Sequence, residues 1–148
     1  MAEYQRHKRQ LQPVSGGQPI EPLRGPSSRH FIRNVRQNTF VRDWNTVIEP
    51  WVDVDADVDA IISGKATRRG DRFIVNDRHW GVETNGTLYP IDGPGCIRLD
   101  RESFRALGVY NVFGDTPEAT AILDRMHNQT PTSRDNGLRA WRAGRHDE

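Results

Sequence analysis

Apolar positions are unevenly spread along this chain, and their spacing changes from one stretch to the next. Phe40, Trp44, Val47, Ile48 and Trp51 recur at helical intervals, with Thr39 placed to cap the start and Pro50 to end it, so a short helix is expected there. Val58, Ile61 and Ile62 stand at i, i+3 and i+4 behind a run of aspartates, with Gly64 as a left-handed stop, which predicts a helix over 56–63. Two β-prone runs within Arg72–Val82 are joined by Asn76-Asp77, residues that tolerate positive φ, and read as a hairpin. The runs 87–91 and 96–99 extend it to an antiparallel meander of three or four strands, with Pro90 marking an edge or an end. Asp100 caps a helix from Arg101 to about Gly108 that turns Phe104 and Leu107 inwards. Thr116-Pro117 starts another, with Ala119, Ile122, Leu123 and Met126 as its buried stripe. The expected fold class is α+β: a small meander packed against short helices.

Outside these elements the pattern fades. Residues 1–38 hold Pro13, Pro19, Pro22, Pro26 and Gly16-Gly17 among scattered arginines, too little apolar surface to offset the entropy of ordering, and read as a disordered or extended basic arm. Residues 39–127 form the globular domain, built on one core. Residues 128–148 read as a polar tail in which Leu138 and Trp141 lie three apart, with Arg139, Arg142 and Arg145 opposite. Of 148 residues only 34% are hydrophobic and the mean hydropathy is −0.79, so solvated ends are needed to leave a collapsible middle.

Charge sharpens the division. Residues 1–42 carry eight Lys/Arg against two acids, a balance of +6, and residues 43–127 carry nine against fifteen, a balance of −6. Such an arm either seeks a polyanion or wraps its own body. The single Cys96 excludes an intramolecular disulfide framework and a paired-thiolate zinc site. No apolar run has the length of a signal peptide or a membrane span, so a cytoplasmic, bacterial protein without a membrane partner is expected.

The segments Gly86–Ile91, Gly93–Gly95, Leu99-Asp100-Arg101, Phe104 and Ala106–Asn111 resemble a recurring block of small bacterial proteins that have no established activity. The resemblance covers residues 52–126 and implies a compact module. It transfers no catalytic or binding residue.

Candidate chemistry is sparse. Asp53, Asp55, Asp57 and Asp59 alternate like the opening of a calcium loop, but Val58 stands where that loop needs glycine and Gly64 where it needs glutamate, so no metal is expected. No cofactor motif is present either: Gly93-Pro94-Gly95 lacks both the phosphate-loop spacing and a following Lys-Ser/Thr. His79, with Arg78, Tyr89 and Arg98, supplies the ingredients of a metal-independent ribonuclease: a proton-transfer group, cations for phosphate and an orienting hydroxyl. The favoured expectation is instead a non-enzymatic accessory or assembly protein that binds nucleic acid or a larger protein complex through its ends. Arg6, Arg9, Arg24, Arg29, Arg33, Arg36 and Arg42 with Phe31 would make the contacts of the arm, and Arg139, Trp141 and Arg142 those of the tail. A third possibility is an inhibitor presenting the acidic middle of the chain to a basic target.

Overall fold

The structure, a computed structural model, describes residues 22–145. It confirms the α+β class, with six antiparallel strands in two sheets and four α-helices, but the chain folds as two compact units rather than around one core.

The first unit comprises residues 22–27 and 53–94 among those described. Helix α1 (Val54–Ile62) starts where the Asp53 carboxylate accepts from the Ala56 amide. It ends in paired bonds from Gly64 N–H to Ile61 and from Lys65 N–H to Ala60, the geometry of a Schellman stop. Strands β2 (Thr67–Arg69), β3 (Arg72–Val75), β4 (Arg78–Val82) and β5 (Leu88–Asp92) form an antiparallel meander in chain order. Asn76 and Asp77 take φ of 52° and 64°, as the tight turn between β3 and β4 requires, and β5 with Pro90 lies at the sheet edge. Val58, Ile61 and Ile62 are buried on α1, as are Trp80 and Leu88 on the sheet.

The second unit comprises residues 28–52 and 95–145. Two 3-10 turns, Ser28–His30 and Ile32–Asn34, precede β1 (Trp44–Ile48), which pairs with β6 (Cys96–Asp100) in a two-stranded sheet. Helices α2 (Arg101–Phe113), α3 (Pro117–Arg125) and α4 (Pro131–Gly144) complete it. One core cluster gathers Ile32, Val35, Val47, Leu99, Phe104, Leu107 and Ala140; a second gathers Ala106, Val109, Tyr110, Ala119 and Leu123.

Four expectations are corrected here. Within residues 40–51, expected as a helix, the structure has the strand Trp44–Ile48 flanked by loop. The Asn45 side chain accepts from the Arg42 amide and donates to the Arg42 carbonyl, closing a turn that competes with helix, and the β-branched Thr46-Val47-Ile48 that follows is buried against β6. Strand β6 leaves the meander: Gly93 and Gly95, at φ of 121° and 78°, turn the chain out of the ladder before it can pair with β5. The arm does not extend to residue 38, because Ile32 and Val35 belong to a core. Nor is 128–148 a polar tail throughout. Thr130 and Ser133 form a reciprocal cap, Pro131 occupies the first turn, and α4 packs along α2. Its buried face is made of Ser133, Gly137, Ala140 and Gly144, and a Cβ at Gly137 would lie 2.7 Å from that of Ala106. Close approach of the two backbones, not a stripe of large side chains, joins these helices.

Candidate functional site

The cations expected to reach a partner fall into separate places. Arg6 and Arg9 lie outside the described residues. Arg24 belongs to the first unit, where its backbone pairs with Gly86 and Leu88 and its Nε donates to the Thr87 hydroxyl at 3.0 Å. In the second unit, the Nε of Arg33 donates to the Gly144 carbonyl at 2.8 Å, a cation on the negative end of α4. Arg36 turns back onto the carbonyls of Arg33 and Val35. Phe31 is half-buried and bridges Ile48 through its backbone. On α4, Arg139 pairs with Asp135 and Arg142 with Asp115, while Trp141 docks beside Tyr110 at a ring separation of 6.4 Å and carries Arg145 over it. Trp141 therefore anchors the chain to itself.

What the second unit does present is an aromatic and cationic surface at the entrance to β1. Phe40 is 62% and Trp44 55% exposed, large rings left outside both cores. The loop that carries Phe40 is fixed from beneath. Arg36 and Thr39 exchange bonds across a turn, and Arg29 donates to the Phe40 carbonyl at 3.0 Å and to the Asn45 side-chain oxygen. The Arg29 guanidinium lies 5.3 Å from the centre of the buried Phe104 ring and 5.6 Å from that of Phe40. The Arg42 guanidinium lies 5.2 Å from the centre of the same Phe40 ring. Across the two-stranded sheet, Trp44 stands opposite Asp100 and Thr46 opposite Arg98, so all four share one face, and the Arg98 guanidinium stacks 4.4 Å from the Trp44 ring. This unit carries twelve arginines against eight acids, a balance of +4 over its described residues, whereas the described part of the first unit carries six cations against eight acids, a balance of −2.

Beneath the loop lies His30, buried, with Nδ1 2.8 Å from the Thr46 carbonyl and Nε2 3.5 Å from Arg29. Burial is the main force that lowers its pKa from 6.5 to about 4, opposed by the bond to Thr46 and aided by the charges of Arg29 and Arg42. The neutral ring with hydrogen on Nδ1 fits both neighbours, donating to the carbonyl and accepting from the guanidinium.

The ribonuclease constellation is divided. His79 and Tyr89 lie half-buried on one face of the four-stranded sheet, Tyr89 covering Gly81 so closely that a Cβ there would meet its ring at 2.4 Å. Arg78 points to the opposite, buried face. It forms a two-pronged ion pair with Asp57, Nε to Oδ2 at 2.7 Å and Nη2 to Oδ1 at 2.8 Å, and the same carboxylate accepts from Trp80 and Asn76. Arg98 belongs to the second unit, on Trp44. The aspartate series likewise has structural work: Asp53 caps α1, Asp57 anchors the ion pair, and all of Asp55 to Asp59 lie on a helix rather than in a calcium loop. Among the described residues no three His, Cys, Asp or Glu side chains are grouped to hold a metal ion, and no helix is long and apolar enough to cross a membrane.

Sequence reasoning missed Trp44 and Phe40 as surface groups and treated Arg98 only as a phosphate clamp. Asn45 was the available signal, since a short polar residue inside an otherwise helical pattern offers the backbone a turn instead. Neither a protein-family model, nor a curated protein, nor a solved structure matches this chain.

Proposed function

We propose that this chain is a non-enzymatic nucleic-acid-binding protein whose second unit takes single-stranded nucleic acid on the exposed rings of Phe40 and Trp44, with Arg42 beside the first and Arg98 beside the second. One observation carries the reading: two large aromatic rings stand more than half exposed on a folded surface, each with an arginine against it. A soluble fold gains nothing from leaving such rings in water, whereas every base has a π-face, and stacking a base on an aromatic side chain contributes roughly 1–3 kcal/mol. The guanidiniums supply the cations that follow a phosphate backbone, and the balance of +4 favours approach of a polyanion. Duplex DNA hides its base faces, so single strands are the preferred substrate class.

Fluorescence anisotropy of the full chain with a labelled single strand tests this, with the matching duplex as comparison. The variant Phe40→Ala/Trp44→Ala loses two stacking platforms and is expected to bind at least about 30-fold more weakly, from roughly 1 kcal/mol or more per base. An unchanged affinity in that variant, or a duplex bound as tightly as the single strand, refutes the proposal. A protein partner in place of nucleic acid would give a third refuting result: no oligonucleotide binding by the intact chain at all.

A further inference from the structure

Among the described residues, five of the twelve arginines of the second unit pair with acids, whereas a small group of cations in the first unit pairs with none. Arg101 pairs with Asp43, Arg105 with Glu102, Arg134 with Asp124, Arg139 with Asp135 and Arg142 with Asp115. Residues 65–72 carry four cations, Lys65, Arg68, Arg69 and Arg72, against the single Asp71, and none of the four has a carboxylate within ion-pair distance among the described residues. Three of them are exposed and Arg72 is half-exposed.

Their placement follows from the hairpin between β2 and β3. Gly70, at φ of 60°, opens a two-residue turn with Asp71 that sets Arg69 directly opposite Arg72 across the ladder, side chains on the same face. Like charges facing each other in this way oppose strand pairing. Arg68 points to the other face, held over Phe73 at 5.4 Å and donating to the Gly70 carbonyl at 3.1 Å, which leaves the pair at 69 and 72 as the cationic feature of its own face. On the next strand His79 stands opposite Ile74, on that same face, with its Nδ1 3.4 Å from Nη1 of Arg72. A guanidinium only donates, so Nδ1 of the neutral ring is the acceptor and the ring hydrogen sits on Nε2, giving a third donor beside the two arginines. Asp71 in the turn and Asp92 opposite His79 are the acids nearest this face in the pairing scheme, and both are exposed.

We infer that the β2–β3 hairpin is a second, separate contact for the phosphodiester backbone of a single-stranded nucleic acid, made by Arg69 and Arg72 with the ring N–H of His79. A phosphate between two opposed guanidiniums relieves their repulsion and accepts from both in the planar, two-pronged manner that arginine allows. The ring on this face, Tyr89, lies half-buried over Gly81, so the exposed groups of the feature are cationic and grip backbone without reading bases. This inference rests on the reading of the chain as a nucleic-acid binder, and salt dependence separates its contribution from that of the aromatic face.

The test is binding of the full chain to a labelled single strand of about twenty nucleotides, as oligo(dT) and as oligo(U), over a series of salt concentrations. Each phosphate contact contributes a slope of about 0.7 in the logarithm of affinity against the logarithm of salt concentration, so Arg69→Ala/Arg72→Ala, which frees the one phosphate held between them, is expected to flatten that slope by about 0.7. The variant Arg69→Lys/Arg72→Lys, which keeps the charges, is expected to hold the slope near that of the native chain, and circular dichroism confirms that each variant is folded. In parallel, Phe40→Ala/Trp44→Ala should weaken binding and leave the slope unchanged. If the alanine pair in the hairpin changes neither affinity nor slope while the aromatic pair weakens binding, the hairpin site is wrong and the stacking face stands. If only the hairpin pair matters, the stacking face is wrong and the hairpin stands. If the native chain binds neither oligonucleotide, both fall. Poly-glutamate serves as the last control: displacing the oligonucleotide at equal charge concentration, it would overturn the phosphate assignment in favour of an acidic protein.

Discussion

Lowering the pH from 7.5 to 5 removes stability from this protein at one identifiable residue, His30. In the folded chain the ring is buried between the Thr46 carbonyl and Arg29 and titrates at about 4, whereas an unhindered histidine titrates at 6.5. Between those two values the unfolded chain binds a proton that the folded chain does not, so stability rises with pH there. The contribution is fully present above pH 6.5 and is lost as the pH falls towards 4. A difference of two to three pKa units, at about 1.36 kcal/mol each, corresponds to about 3 kcal/mol in full, of which about 2 kcal/mol is already lost at pH 5. Arg29, which meets the His30 ring, also donates to the Phe40 carbonyl, so protonation of His30 is expected to disturb the loop that bears Phe40. Urea denaturation of the native chain and of His30→Asn, at pH 7.5 and 5, measures the effect. Asn retains a donor for the Thr46 carbonyl and cannot ionise, and acids elsewhere act equally on both proteins. The advantage of the native chain over the variant should shrink by about 2 kcal/mol at the lower pH. A difference that stays constant, or an NMR titration of the His30 ring centred near 6.5, would refute the reasoning.

Two further outcomes follow from the packing. Asp57→Asn leaves Arg78 buried without its counter-charge, and breaking such a pair from one side is expected to cost about 3–5 kcal/mol, read as a lowered urea midpoint together with a shifted Trp80 fluorescence. Deletion of residues 1–38 removes Ile32 and Val35 from a core, and at about 2–5 kcal/mol for a buried aliphatic side chain cut back to its β-carbon, this deletion should abolish cooperative unfolding of that core.

The primary sequence by itself determined the local elements whose signals are local. The Asp53 cap and the Gly64 stop fix α1, Asn76-Asp77 fixes the turn between β3 and β4, Asp100 starts α2 and Thr116-Pro117 starts α3. Each depends on a side chain meeting backbone within a few residues, which a linear reading can see. Thr130-Pro131 carries the same legible signal for α4, yet the helix has no large apolar stripe to draw attention, because α2 approaches it closely at Gly137 and Ile32 does so at Gly144. Only the tertiary structure decided what depended on distant pairing. Strand β1 exists because β6, some fifty residues on, supplies its ladder, and that pairing inverts the apparent helix at 40–51 so that Val47 and Ile48 go inwards while Phe40 and Trp44 stay in water. It also divided the charges anew, matching the arginines of α4 with nearby acids and leaving Arg69 facing Arg72. Which rings remain wet and which cations lack a neighbouring acid are properties of surfaces, and surfaces are made by contacts that no short window of sequence contains.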